Sequence, residues 1–287
     1  MGQARPIRCR PMVFSQLTRP SLSALVLVTP FWAHAEEAKD GRHHKDYLVG
    51  ASVVSSTAHI GTGERKVSLK PVWYFQMGPL RVSRSQGSTL LGAGRRSGET
   101  GVSAELLAAQ DWNIGLSLRM DNGRTFDDEP LFRGLPDIRT TVRARVSAHR
   151  PVGERWSWNV NMDQDIMSKG GGMRAGGGVS YRYPVSDATQ LDFGLSAGWA
   201  DARYMKTHFG ISPEAAQLVG RAPYSLGSGM EGIQAGVKFT TALNKRWVVF
   251  GGVDLSRLQG DAARSPLVGR PITHTVNLGI AYRNRRE

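Results

Sequence analysis

Cysteine is almost absent: the 287 residues hold one, Cys9. Everything beyond it lacks a thiol nucleophile, a Cys-ligated metal and a disulfide framework. Long apolar runs are also missing after the first 35 residues, and the densest stretch, Trp247 to Val253, is broken by glycine. A membrane helix needs about 20 apolar residues in a row, so a helical membrane protein is excluded. A Gly-Lys-Ser/Thr phosphate loop does not occur, and Gly61-Thr62-Gly63 and Gly92-Ala93-Gly94 lack a strand-to-helix setting and read as turns. His43-His44 has no further ligand at fixed spacing. The acidic run Asp127, Asp128, Glu129 lacks the calcium-loop pattern. Neither a metal nor another cofactor is expected. The net charge is +13, but Lys and Arg are scattered with no aromatic-basic module, which sets nucleic acid aside.

What the chain does have is alternation. From Thr140 to His149 the even positions are Val142, Ala144, Val146 and Ala148, and the odd ones include Arg143, Arg145 and His149. From Trp156 to Asp165 the even positions are Trp156, Trp158, Val160 and Met162, and the odd ones include Asn159, Asn161, Asp163 and Asp165. A period of two over eight or more residues marks a strand with a different solvent on each face. A soluble sandwich is one reading; a membrane barrel, apolar outside and polar inside, is the one favoured by arginines facing aspartates. A six-residue turn at 150–155 sets Arg143 and Arg145 across from Asn161 and Asp163, so Arg143, Arg145, Asp163 and Asp165 are expected to pair their charges in the lumen. The competing reading joins Asp163 and Asp165 to His149 as an acid-base group. Neither a Gly-x-Ser-x-Gly turn nor a His-Ser pairing stands beside them.

Residues 1–35 read as a cleavable signal peptide: Arg5, Arg8, Arg10 and Arg19, an apolar run from Leu22 to Trp32, then Ala33-His34-Ala35. Cleavage before Glu36 leaves 252 residues, removes Cys9 and, by the loss of four arginines, lowers the charge from +13 to +9. A polar lead, 36–46, precedes a barrel expected over 47–287. Twelve strands are predicted in it, at 47–57, 66–77, 80–91, 101–108, 112–120, 140–149, 156–165, 174–183, 189–200, 229–242, 247–258 and 275–283. Every gap after an odd strand is longer than every gap after an even one. Outer-membrane barrels have long outer loops and short periplasmic turns, so the fold class is all-β, a transmembrane antiparallel up-and-down β-barrel of about 12 strands in the outer membrane, both termini periplasmic. Trp73, Tyr74, Trp112, Trp156, Tyr181, Tyr183, Trp199, Trp247 and Tyr282 fit an interfacial girdle. The basic loops are expected to meet outer-leaflet lipid, including the phosphates of lipopolysaccharide.

Three loop segments carry a family likeness. Ala200 to Pro213, reading ADARYMKTHFGISP, resembles the most recognisable segment of the MipA/OmpV family of outer-membrane proteins. Leu258 to Val268, LQGDAARSPLV, is similar to that family's segment before the last strand, and Arg133 to Ile138, RGLPDI, to its central loop. Asp201, Tyr204, Met205, Phe209, Gly210, Ser212, Pro213, Gly260, Asp261, Ser265 and Pro266 carry the first two likenesses. The resemblance implies a non-enzymatic barrel that scaffolds peptidoglycan assembly by joining a membrane-bound lytic transglycosylase to a bifunctional penicillin-binding protein. It also implies kinship with porin-like channels and surface adhesins. Tyr204, Phe209 and Pro213 are expected to pack loop 201–228 over or into the barrel mouth, which leaves the short turns and the 36–46 lead for periplasmic partners. Two departures stand out. Family members usually finish on an aromatic residue that the outer-membrane insertion machinery reads, whereas this chain continues past Tyr282 with Arg283-Asn284-Arg285-Arg286-Glu287. His208 stands where the family often has an aromatic.

Overall fold

A strand whose two faces prefer different solvents, in a medium without water, must pair its backbone on both edges, and closure into a barrel does this for every strand. The computed structural model describes residues 47–57, 65–77, 80–84, 101–109, 112–124 and 134–284. The expected signal peptide and polar lead, both Gly-x-Gly sites, His43-His44, Asp127 to Glu129 and the last three residues lie outside the described residues. The strands are β1 (Tyr47–Thr57), β2 (Arg65–Met77), β3 (Leu80–Arg84), β4 (Gly101–Ala109), β5 (Trp112–Asp121) and β6 (Thr141–Val152). They continue as β7 (Trp156–Asp165), β8 (Met173–Pro184), β9 (Thr189–Ala200), β10 (Gly229–Ala242), β11 (Trp247–Leu258) and β12 (Ile272–Asn284). Each pairs antiparallel with its sequence neighbours, and β1 closes the barrel on β12 from Tyr47↔Asn284 to Ser55↔Val276. β3, interrupted in sequence by Arg81 and Arg84, still pairs on both sides, over its five described residues with β2 and over four of them with β4. Most strands have the 9–14 residues that suit a tilted membrane crossing of about 9–11 residues. No described helix is long and apolar enough to cross a membrane.

The burial pattern is the reverse of a soluble protein's. Val53, Leu118, Val160, Leu195, Leu255 and Leu278 are each 45–57% exposed on the outer face, while Ser52, Ser117, Arg143 and Asp163 are buried inside. That surface suits hydrocarbon, and it excludes the soluble sandwich. At the short-turn rim, aromatic rings run along the outside: Trp73 by Phe75, Tyr47 and Trp247 against Tyr282, and Trp156 on Tyr181 at 4.9 Å. Trp199 is the exception, at the long-loop end of β9. Tyr74 departs from the expected girdle. As an even residue of β2 it faces inward and is 1% exposed, packed with Leu48, Val72, Phe250 and Ala281. The lumen is therefore not polar throughout: beside the β1–β12 seam, its short-turn end holds an apolar cluster.

The β6–β7 hairpin also corrects the predicted register. β6 runs on to Val152, and the turn tightens to Gly153-Glu154-Arg155, with Gly153 at φ 63°, a conformation glycine adopts without steric cost. Three further residues of pairing, Arg150 to Val152, slide the partners, so Arg143 faces Asp165 and Arg145 faces Asp163.

Candidate functional site

The long-loop mouth is filled by helices that periodicity alone does not announce. Asp201, extended at the end of β9, accepts a hydrogen bond from the Tyr204 N–H at 2.7 Å and caps α1 (Ala202–Phe209). Gly210 ends α1, its N–H donating to the Lys206 carbonyl. Ser212 then accepts from the Ala215 N–H at 3.2 Å, and Pro213 opens α2 (Pro213–Val219). After β11, Gly260 and Asp261 begin the single turn α3 (Gly260–Ala263). Tyr204, Met205 and Phe209 are buried against Leu226, Leu258 and Ala262, and a second cluster joins Leu135, Ile211, Ala215, Ala216 and Leu267. Ser265 ties the loops together, donating to the Phe209 carbonyl at 2.6 Å and accepting from the Leu267 N–H. Pro266 is exposed, as is Asp261, which pairs with Arg264.

Beneath α1 lies a network of charges on the inner wall. Arg143 donates through Nε to Asp163 and through Nη1 to the Gly171 carbonyl at 2.6 Å, and Arg145 reaches the other oxygen of Asp163 at 2.8 Å. Asp163 thus holds two arginines, as in the expected lumen pairing. Asp165 does not join them: it accepts from the Thr141 hydroxyl and from the N–H groups of Gly171 and Met167, so it shapes the β7–β8 loop. Sequence reasoning missed the second half of the network. Arg174 on β8 donates Nε and Nη2 to Oε2 of Glu231 at 3.0 and 2.7 Å, and the Tyr204 hydroxyl donates to Oε1 at 3.1 Å. The guanidinium carbons of Arg174 and Arg143 lie 4.9 and 5.6 Å from the Tyr204 ring centre. Burial pushes the Tyr204 hydroxyl above its ordinary pKa, against the pull of Arg174, so it stays a donor. Gly172, at φ 51°, crosses beside the α1 cap, where a Cβ would lie 2.3 Å from the Asp201 carboxylate.

His208 lies flat on Tyr204, with ring centres 4.1 Å apart and planes 26° apart. It thus presents a flat ring where the family resemblance led to the expectation of an aromatic. Burial first, and the neighbouring Arg124, Arg174 and Arg143 charges next, lower its pKa from 6.5 to about 3. Arg124 donates to the His208 carbonyl at 3.2 Å, and burial lowers its own pKa to about 10.

A family profile described as "MltA-interacting protein MipA" matches residues 49–284. The chain belongs to the MipA family. No match was found among curated proteins. Among solved structures, the chain is similar to an outer-membrane channel from Pseudomonas putida F1, at 14% identity, 85% of this chain, 99% of the other and a TM-score of 0.38. It is also similar to the monoaromatic hydrocarbon channel CymD, at 10%, 85%, 89% and 0.40, and to the KdgM porin, at 11%, 84%, 99% and 0.35. In this MipA barrel, all three loop segments of the sequence likeness meet at one mouth: Tyr204 and Phe209 in one cluster, Leu135 and Leu267 in the other.

The acid-base alternative is not assembled. His149 faces Asn159 across the β6–β7 ladder, four residues along β6 from Arg145 and its partner Asp163. The one Gly-x-Ser-x-Gly of the sequence, Gly194 to Gly198, lies in the middle of β9 and not on a strand-to-helix turn.

Proposed function

We propose that this MipA-family barrel is a non-enzymatic outer-membrane protein whose long-loop mouth is stoppered by its own helices and whose opposite rim, with the 36–46 lead, docks cell-wall enzymes. The observation that carries the reading is the stopper itself. α1 is held to the wall by Tyr204, Glu231 and Arg174 and to the segment after α3 by Ser265, an arrangement suited to a fixed platform. The family's name, an MltA-interacting protein, supports a lytic transglycosylase as one partner, and a bifunctional penicillin-binding protein is the other in the scaffold reading. The family and the apolar outer wall support an outer-membrane location, with lipopolysaccharide as the expected outer-leaflet neighbour.

A narrow channel is the second reading, favoured by a cavity of about 330 Å³ in the lumen, lined in part by the polar side chains of Arg145, Asn159, Asn161 and Glu231. One pair of measurements separates them. The scaffold reading expects the refolded barrel to leave a planar bilayer closed and to capture a purified transglycosylase, with capture lost when residues 36–46 are deleted. Steady single-channel current that changes on Arg145→Glu, without capture, would overturn it in favour of the channel.

A further inference from the structure

The lumen cavity of about 330 Å³ has a wall in which side chains are missing at one level and polar at the next. In the ladder register Gly176 of β8 faces Gly198 of β9, and Gly198 faces Gly232 of β10. The three form a bare shelf across adjacent strands, bounded by Asn161 on β7 and Leu258 on β11. Glycine in a strand interior weakens the strand and often marks a place where another group comes close to the backbone. At Gly198 no described loop residue is that group: an added Cβ would meet only Oε2 of Glu231 at 3.5 Å and the Gly232 carbonyl at 4.0 Å.

One rung further from the mouth the wall turns to amides and hydroxyls, with Ser196, Gln234, Ser256 and Thr273 following one another across β9 to β12. Asn161, Ser196, Ser256 and Thr273 line the cavity, are half-buried, and make no side-chain hydrogen bond among the described residues. The charges around the same space cancel. Arg145 is paired with Asp163 and Arg174 with Glu231, while Arg257 falls in the outward alternation of β11 with Val253 and Leu255. An ion therefore meets no unpaired opposite charge among the inward lining residues. A neutral molecule rich in hydroxyls can both give and take hydrogen bonds with the free amide and hydroxyl groups.

We propose that this cavity binds one small uncharged sugar ring, its flat face on the shelf of Gly176, Gly198 and Gly232 and its hydroxyls on Asn161, Ser196, Ser256 and Thr273. The volume lies at the lower end of the ligand-sized range, which begins at about 300 Å³, and suits a monosaccharide rather than a chain of them. The inference rests on the cavity that favours the channel reading and not on conduction, because a ring can bind in a closed barrel.

Saturation-transfer NMR on the detergent-folded mature barrel tests it, with neutral glucose and galactose compared against anionic glucuronate and galacturonate and cationic glucosamine and galactosamine. Saturable transfer is expected from at least one neutral sugar, with its charged forms at least tenfold weaker. Gly198→Val, which sets a side chain in the cavity from an ordinary strand backbone, should weaken that binding at least tenfold, and Asn161→Ala and Ser256→Ala several-fold. Heat-modifiable gel migration checks that each variant folds, and the two alanine variants decide if Gly198→Val does not. No saturable transfer from either neutral sugar, charged forms that bind as tightly, or wild-type affinity in the folded variants would overturn the site. Ionic current without sugar binding would remove the site and leave the channel; sugar binding in a barrel that passes no current would keep the site and remove the channel.

Discussion

His208 shows how one side chain can satisfy two demands at this mouth. Its flat ring stacks on Tyr204, and burial first, then the surrounding Arg124, Arg174 and Arg143 charges, make a charged imidazole there costly. The unfolded chain takes up a proton near pH 6.5 and the folded one only near 3, so between those values the unfolded state binds more protons. The stability tied to the neutral ring is complete above about pH 6.5 and is lost as the pH falls towards 3. His208→Phe is expected to remove this part of the pH dependence. Comparing urea midpoints of the two proteins from pH 7 to pH 4 should show them diverging by up to about 1.4 kcal/mol per pH unit at the steepest point. Parallel curves would mean that the ring is not held neutral by burial.

At the scale of elements, Glu231 explains both what alternation reveals and where it fails. Ile233, Ala235, Val237 and Phe239 place odd residues of β10 on the outer face, and that rule carried one step back would send Glu231 into lipid. The register shifts between Met230 and Gly232, and the bulge turns Glu231 inward to Arg174 and Tyr204. A bulge breaks the period that makes strands readable, which is why this half of the network was hidden while Arg143, Arg145 and Asp163 were in view. The loop helices were missed for a related reason: α1 and α2 are too short for a helical period to stand out. Their ends were nevertheless written in Asp201, Ser212-Pro213 and Gly220, the residues that cap them. Glu231→Ala should leave Arg174 without its carboxylate and Tyr204 without its acceptor, weakening the lock by roughly 1–3 kcal/mol. Limited proteolysis within 201–228 is expected to speed up several-fold while the strands stay resistant. Unchanged cleavage would show that the apolar clusters alone hold α1.

For the whole molecule, the alternation and the parity of gap lengths were enough to anticipate twelve strands and their order, because each strand has one face for hydrocarbon and one for the lumen. What the pattern did not show is that the inner face changes character along its height, from the apolar packing of Leu48, Tyr74 and Phe250 at one rim to arginine and carboxylate at the other. The seam where Tyr47 faces Asn284 is an ordinary ladder, no different in kind from the eleven others. Topologically the wall is a ring, and the break in the chain between β12 and β1 is a nick in it. A circular permutant that links Tyr47 to Asn284 by a few flexible residues and opens instead at the exposed Gly153-Glu154-Arg155 turn should refold into the same heat-modifiable cylinder; failure to do so in detergent would mean that the order of strands along the chain, and not the pairing alone, dictates closure.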